Sequence, residues 1–83
     1  VVQWEQFDAA KYDISFNERK LAAHGISAYD VMEVLFNGIH VVRNKGRDGR
    51  YRVRGRTHAG RALELIVIVQ GGHKLRFITG WDL

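Results

Sequence analysis

The sequence predicts an α+β domain with two N-terminal helices packed on one face of a small antiparallel sheet of three to four strands. Three observations predict it. Helix punctuation is confined to the first half of the chain, where Gly25, Ser27 and Asn37-Gly38 bracket apolar residues at helical spacing. Strict alternation appears only in the second half, from Arg50 to Thr57. The run Leu65 to Val69 is wholly apolar, as expected of a strand covered on both faces. Helices followed by strands argue for a two-layer sandwich. A length of 83 residues allows one core, so residues 1–83 are read as a single domain.

Val1 to Phe7 (VVQWEQF) is a candidate short edge strand, with Trp4 and Phe7 packing on the core. Asp13 to His24 reads as the first helix. Asp13 and Ser15 are its candidate caps, Ile14, Leu21 and Ala22 recur at i, i+7 and i+8, and Gly25 supplies a left-handed stop. Ser27 to Asn37 is the second helix. Ser27 is the N-cap, Asp30 stands where a capping box needs an acceptor, and Ile26 and Val31 form the hydrophobic staple. Val31, Val34 and Leu35 line its inner face, with Phe36 beside them.

Ile39 to Arg43 is a short strand, and Asn44 to Gly49 a loop. In the next strand Arg50, Arg52, Arg54 and Arg56 face one way and Tyr51, Val53, Gly55 and Thr57 the other. His58 to Arg61 is a turn, Ala62 to Gln70 the central strand, and Gly71-Gly72 a tight hairpin. His73 to Thr79 is the last strand. Leu75 and Phe77 share one of its faces, and Lys74 and Arg76 share the other with Ile78.

Composition narrows the function. Apolar residues make up 46% of the chain and charged residues 27%, which suits a folded domain. The absence of cysteine excludes a disulfide framework, a thiolate zinc site and a thiol nucleophile. Four scattered histidines without ligand spacing give no metal site and imply no cofactor. The longest apolar run is five residues, far short of a membrane span. The first twenty residues have no signal-peptide pattern, so the expectation is a cytoplasmic protein.

Charge is distributed unevenly. Residues 1–42 hold three basic and six acidic side chains, whereas residues 43–83 hold ten basic and three acidic. Eight of the thirteen basic residues lie between Arg43 and Arg61, with Asp48 the only acid among them. Such a field attracts a polyanion. Its richness in arginine favours phosphate, which the planar guanidinium binds bidentately.

Several phrases resemble a known family. Lys20-Leu21-Ala22-Ala23-His24-Gly25-Ile26-Ser27, followed by Asp30 to Leu35, is similar to the helical part of BrnT-like toxins. Tyr51 to Arg61 resembles that family's second hairpin, Arg76-Phe77-Ile78-Thr79 its last strand, and Phe7-Asp8 with Lys11 its N-terminal motif. The resemblance implies a RelE-like fold and a ribonuclease toxin of a type II toxin–antitoxin system, bacterial and cytoplasmic. It further implies a ribbon-helix-helix antitoxin as partner. An exposed edge strand would suit a homodimer or a toxin–antitoxin hetero-oligomer. Two residues depart from the pattern: Ala23 stands where the family has Lys, and Trp81 where it has Arg.

Metal-independent RNA cleavage needs a base, cations on the scissile phosphate and an acid for the leaving oxygen. The candidates for catalysis are Arg76, His24, Arg61 and His58. Arg76 combines a strand position with a match to the family. His24 matches the family motif, and its competing role is to cap the first helix. Arg61 flanks the hairpin turn, and its competing role is to anchor it. His58 sits in that turn. Arg52, Arg54, Arg56, Lys11, Lys74 and Trp81 are the candidates for RNA binding, with Trp81 available to stack on a base. The alternative function is a non-catalytic nucleic-acid- or protein-binding module on the same scaffold, which the Trp81 departure favours.

Overall fold

The four residues Asp-Ile-Ser-Phe decide the architecture. In the computed structural model, which describes residues 8–44 and 49–83, they form a strand, β1 (Asp13–Phe16). It runs parallel to the last strand, β5 (Lys74–Asp82), with Ile14 opposite Leu75 and Phe16 opposite Phe77. A 3-10 turn at Ala9–Lys11 precedes β1, and between β1 and β5 come α1 (Glu18–Ala22), α2 (Ala28–Asn37), β2 (His40–Asn44), β3 (Arg50–Arg56) and β4 (Ala62–Gln70). The strand order is β1-β5-β4-β3-β2.

This corrects the expected architecture. Among the described residues the sheet has five strands and is mixed, not three or four antiparallel ones, and the two helices are short. The helix expected from Asp13 to His24 begins only at Glu18, where Asn17 caps it by accepting a hydrogen bond from the Lys20 amide at 3.2 Å. The reason is the period of the apolar residues. Ile14 and Phe16 alternate with Asp13 and Ser15, so a strand can turn both toward the core. The Phe16 ring stacks on Phe77 at 6.1 Å between centroids. Of the residues read as a helical stripe, Leu21 is buried, Ala22 is exposed and Ile14 belongs to the sheet. The suggested edge strand at 1–7, with Trp4 and Phe7, lies outside the described residues, as does most of the loop between β2 and β3.

α2 follows its sequence signals closely. The Ser27 hydroxyl accepts from the Asp30 amide at 3.1 Å, and the Asp30 carboxylate accepts from the Ser27 amide at 2.9 Å. Val31, Val34 and Leu35 are buried, together with Ile26 just before the cap. Phe36 points away from that face and is 84% exposed. Leu21, Ile26, Val31, Val34 and Leu35 meet Val53, Leu63, Leu65, Val67, Leu75 and Phe77 in one core, so both helices lie on the same side of the sheet. α2 comes close to β3 because Gly55 has no side chain: a Cβ there would stand 2.5 Å from Val34 Cγ1.

An irregularity in β5 fixes what the other side of the sheet displays. Ile66 pairs with Thr79 and Val67 with Phe77, which leaves Ile78 as an extra residue. Such a bulge changes which side the following residues face. Leu75 and Phe77 face the helices before it, and Gly80 does after it. Lys74 and Arg76 face away before it, and Thr79 and Trp81 do after it. No helix among the described residues is long and apolar enough to cross a membrane.

Candidate nucleic-acid interface

The helix-free side of the sheet is organised in rows, because residues paired across neighbouring strands share a face. One row reads His40, Arg54, Glu64, Trp81. The next contains Arg52, Ile66 and Thr79. A third reads Arg50, Ile68, Arg76, Ser15, and a fourth Gln70, Lys74, Asp13. Arg56 lies beyond the first row, opposite Ala62. Ile66 and Ile68 thus form an apolar strip along β4, with arginines of β3 on one side and Lys74 and Arg76 of β5 on the other. At about 4.8 Å per strand, Arg50 and Arg76 straddle Ile68 with backbones roughly 10 Å apart.

Glu64 is the electrostatic centre of this face. Its side chain is only 1% exposed, covered by neighbours that include two arginines. Arg52 Nε and Nη2 donate to Glu64 Oε2 at 2.9 and 2.6 Å, and Arg54 Nε donates to Oε1 at 2.7 Å. Burial pushes the Glu64 carboxyl upward, but the hydrogen bonds and charges of Arg54 and Arg52 outweigh it and hold the group below its ordinary value. The carboxylate fixes both guanidinium groups and leaves the cluster with one net positive charge. The sequence reading missed Glu64. Its signal was a lone acid in the otherwise apolar β4, facing an arginine-bearing strand.

The other arginines of this face have different surroundings, and Arg50 was not among the candidates read from the sequence. Arg50 makes no hydrogen bond or ion pair with any described residue. Arg76 reaches one neighbour, Ser15 Oγ, at 3.5 Å, the outer limit of a hydrogen bond. Arg56 donates through Nη1 to the Gly60 carbonyl at 2.8 Å and so braces its own turn. Lys74 is exposed opposite Asp13, and Lys11 is exposed at the end of the 3-10 turn. Trp81 is half-buried beside Glu64.

Arg61 lies on the helix side instead. Its Nε and Nη2 donate to the two carboxylate oxygens of Asp82 at 2.6 and 3.0 Å. Nη1 donates to the Gly25 carbonyl at 2.8 Å and Nη2 to the His24 carbonyl at 3.2 Å. The Asp82 hydrogen bond raises the Arg61 pKa further, against a smaller burial effect, with Asp82 and Asp30 charges adding to it. The same bond, chiefly, holds Asp82 below the ordinary carboxylate range. Arg61 therefore ties the turn between α1 and α2 to the ends of β4 and β5. Arg61→Ala is expected to lower the Tm by about 4–8 °C, corresponding to the loss of roughly 1 kcal/mol in a domain of this size. Arg61→Lys should recover only part of this, since an ammonium cannot reproduce the fork. Thermal melts followed by circular dichroism would check both.

The two candidate histidines are not beside Arg76. His24 is exposed in the α1–α2 turn, where its carbonyl serves Arg61. His58 is held near the C-terminal end of α2. Its amide donates to Glu33 Oε1 at 3.0 Å, its Nδ1 accepts from Asn37 Nδ2 at 3.0 Å, and its ring meets Phe36 edge-on at 5.9 Å. It borders a depression of about 650 Å³ with Tyr29, Met32, Leu35 and Phe36, away from the arginine rows. Of the four residues proposed for catalysis, only His24 and Arg61 touch, through a backbone carbonyl. No three His, Asp or Glu residues among the described ones stand together as metal ligands. Comparison with known proteins gave no matching family model, no matching curated protein and no matching solved structure.

Proposed function

We propose that the chain is an RNA-binding protein that holds the phosphate backbone on the helix-free side of its sheet. The observation that carries this reading is the placement of Arg50, Arg52, Arg54, Arg56, Lys74 and Arg76 on one face of the sheet, where among the described residues the paired acids are Asp13 and Glu64. Glu64 is consumed by two of the arginines. Arg50 and Arg76 lack strong partners and are the strongest phosphate ligands. The dispersal of His24, His58, Arg61 and Arg76 supports binding over cleavage by that set.

The test is the salt dependence of the affinity for a labelled RNA. The logarithm of affinity should fall steeply with the logarithm of salt concentration. Arg50→Ala and Arg76→Ala should each lower the slope by about 1. A flat salt response in the folded wild type would sink this reading.

A second reading is favoured by one contact, the Arg76 guanidinium lying beside the Ser15 hydroxyl at the β1–β5 seam. On it the chain is a metal-independent ribonuclease toxin, cytoplasmic and neutralised by a ribbon-helix-helix antitoxin, with Arg76 stabilising charge on the scissile phosphate. Cleavage of structured RNA that survives EDTA and is abolished by Arg76→Ala would support it. Binding without cleavage would leave the first reading in place.

A further inference from the structure

The arginine rows enclose one pocket whose lining differs from a plain phosphate track. It measures about 440 Å³ and is lined by Lys20, Arg50, Arg52, Ile66, Ile78 and Thr79. We infer that this pocket seats one unpaired nucleotide of a single-stranded RNA, its base on the isoleucine floor and its phosphate on the rim. The inference rests on the RNA-binding reading and narrows it from RNA in general to single-stranded RNA.

Each part of the pocket has a distinct chemical use. Ile66 and Ile78 are half-buried and offer an apolar surface that a polyphosphate backbone alone would not engage. Ile78 is there because it is the extra residue of the β5 bulge, so an unpaired strand residue supplies part of the floor. Thr79, next to it and opposite Ile66, brings a hydroxyl that can donate to or accept from a base edge. Arg52 is already fixed by Glu64, so its guanidinium is in place before any ligand arrives. Lys20, whose side chain lines this pocket although α1 packs Leu21 into the core on the other side, and Arg50, from β3, are exposed, and their charged groups have no partner among the described residues. They stand on the rim, where a phosphate joined to a seated base would lie.

A volume of 440 Å³ is within the range of small-ligand pockets. The pocket is apolar at its floor and cationic at its rim, and a nucleotide has the matching division between base and phosphate. A duplex cannot fill it, because its bases are stacked inside and only its backbone and groove edges are presented.

The experiment measures fluorescence anisotropy with three probes: a non-self-complementary single-stranded RNA decamer, an abasic decamer of the same phosphate number, and the decamer's duplex, which carries twice as many phosphates. The wild type should bind the single strand about tenfold more tightly than the abasic strand at the same salt. Ile78→Ala should remove most of that advantage and leave abasic and duplex affinities unchanged. Thr79→Val, nearly isosteric, should weaken single-strand binding in the same selective way and serves if Ile78→Ala does not fold. Equal affinity for single and abasic strands would overturn the seat, and so would a base preference that neither variant alters. In both cases the phosphate-binding reading would stand. Absence of salt-sensitive binding to all three probes would overturn both.

Discussion

Replacing Arg52 and Arg54 together by methionine is expected to cost about 3–5 kcal/mol of stability and to reverse its response to acid. Glu64 is the buried member of the cluster, at 1% exposure, whereas Arg52 and Arg54 are 33% and 45% exposed. Removing Glu64 frees two arginines that already reach solvent. Removing the arginines strands a buried carboxylate with nothing to offset its lost hydration, which is the larger penalty. Glu64→Gln should accordingly cost less than the double variant. Adding Glu64→Leu to the double variant should recover much of the loss, because an apolar side chain needs no partner there.

The acid response follows from the direction of the Glu64 shift. In the wild type its folded-state pKa is depressed. The associated stability is fully present above the unfolded-state value and is lost as pH falls through the folded value. In the double variant burial acts unopposed and raises the pKa. The folded state then binds the extra proton, and stability falls as pH rises through the region between the unfolded and folded values. Urea melts of the two proteins between about pH 3 and 7 should give opposite contributions from this site. Parallel curves for wild type and double variant would show that Glu64 is not under the arginines' control.

Gly80→Ala is expected to lose about 1–3 kcal/mol, although it adds a single methyl group. The bulge at Ile78 turns Gly80 toward the core. There a Cβ would stand 2.5 Å from Leu65 Cδ2, 2.8 Å from the Glu64 carbonyl oxygen and 3.3 Å from Ile26 Cδ1. The Leu65 methyl can rotate away. The Glu64 oxygen belongs to the β4 backbone and can move only by distorting the β4–β5 ladder. Leu65→Val in the same chain should therefore relieve only part of the cost. Thermal melts would read the effect as a fall of about 4–8 °C for each kcal/mol lost. An unchanged Tm would mean that β5 does not make this bulge.

What could be read in the sequence was whatever is decided locally. The capping box of α2 needs only Ser27 and Asp30, three residues apart, and its buried face needs only the helical period. β4 announces itself by five consecutive apolar residues between glycine turns, and the arginine face of β3 by strict alternation. What escaped depends on partners far along the chain. Ile14 and Phe16 satisfy a strand, and Ile14 with Leu21 and Ala22 imitates a thin helical stripe. Only pairing with β5 decides between them, through contacts such as Ser15 with Arg76, 61 positions apart. Glu64 was passed over because its meaning lies in register: it faces Arg54 on one side and Trp81 on the other. Arg61 flanks the same turn as Arg56, but Arg56 ends β3 on the helix-free side, whereas Arg61 precedes β4 and faces the helices. Trp81 and Thr79 share the arginine side only because one extra residue at Ile78 shifts the alternation.

The parallel seam between β1 and β5 also constrains the order in which the molecule can be assembled. β2 to β5 are successive neighbours, each able to pair with the strand made just before it. Of the described strands β1 is made first, and its partner is made last. During synthesis Ile14 and Phe16 must wait, uncovered on their sheet side, until residues 74–82 have left the ribosome. The closing of the sheet is thus a late event with a large loop to bridge, and the earliest of the described strands is the last to find its place.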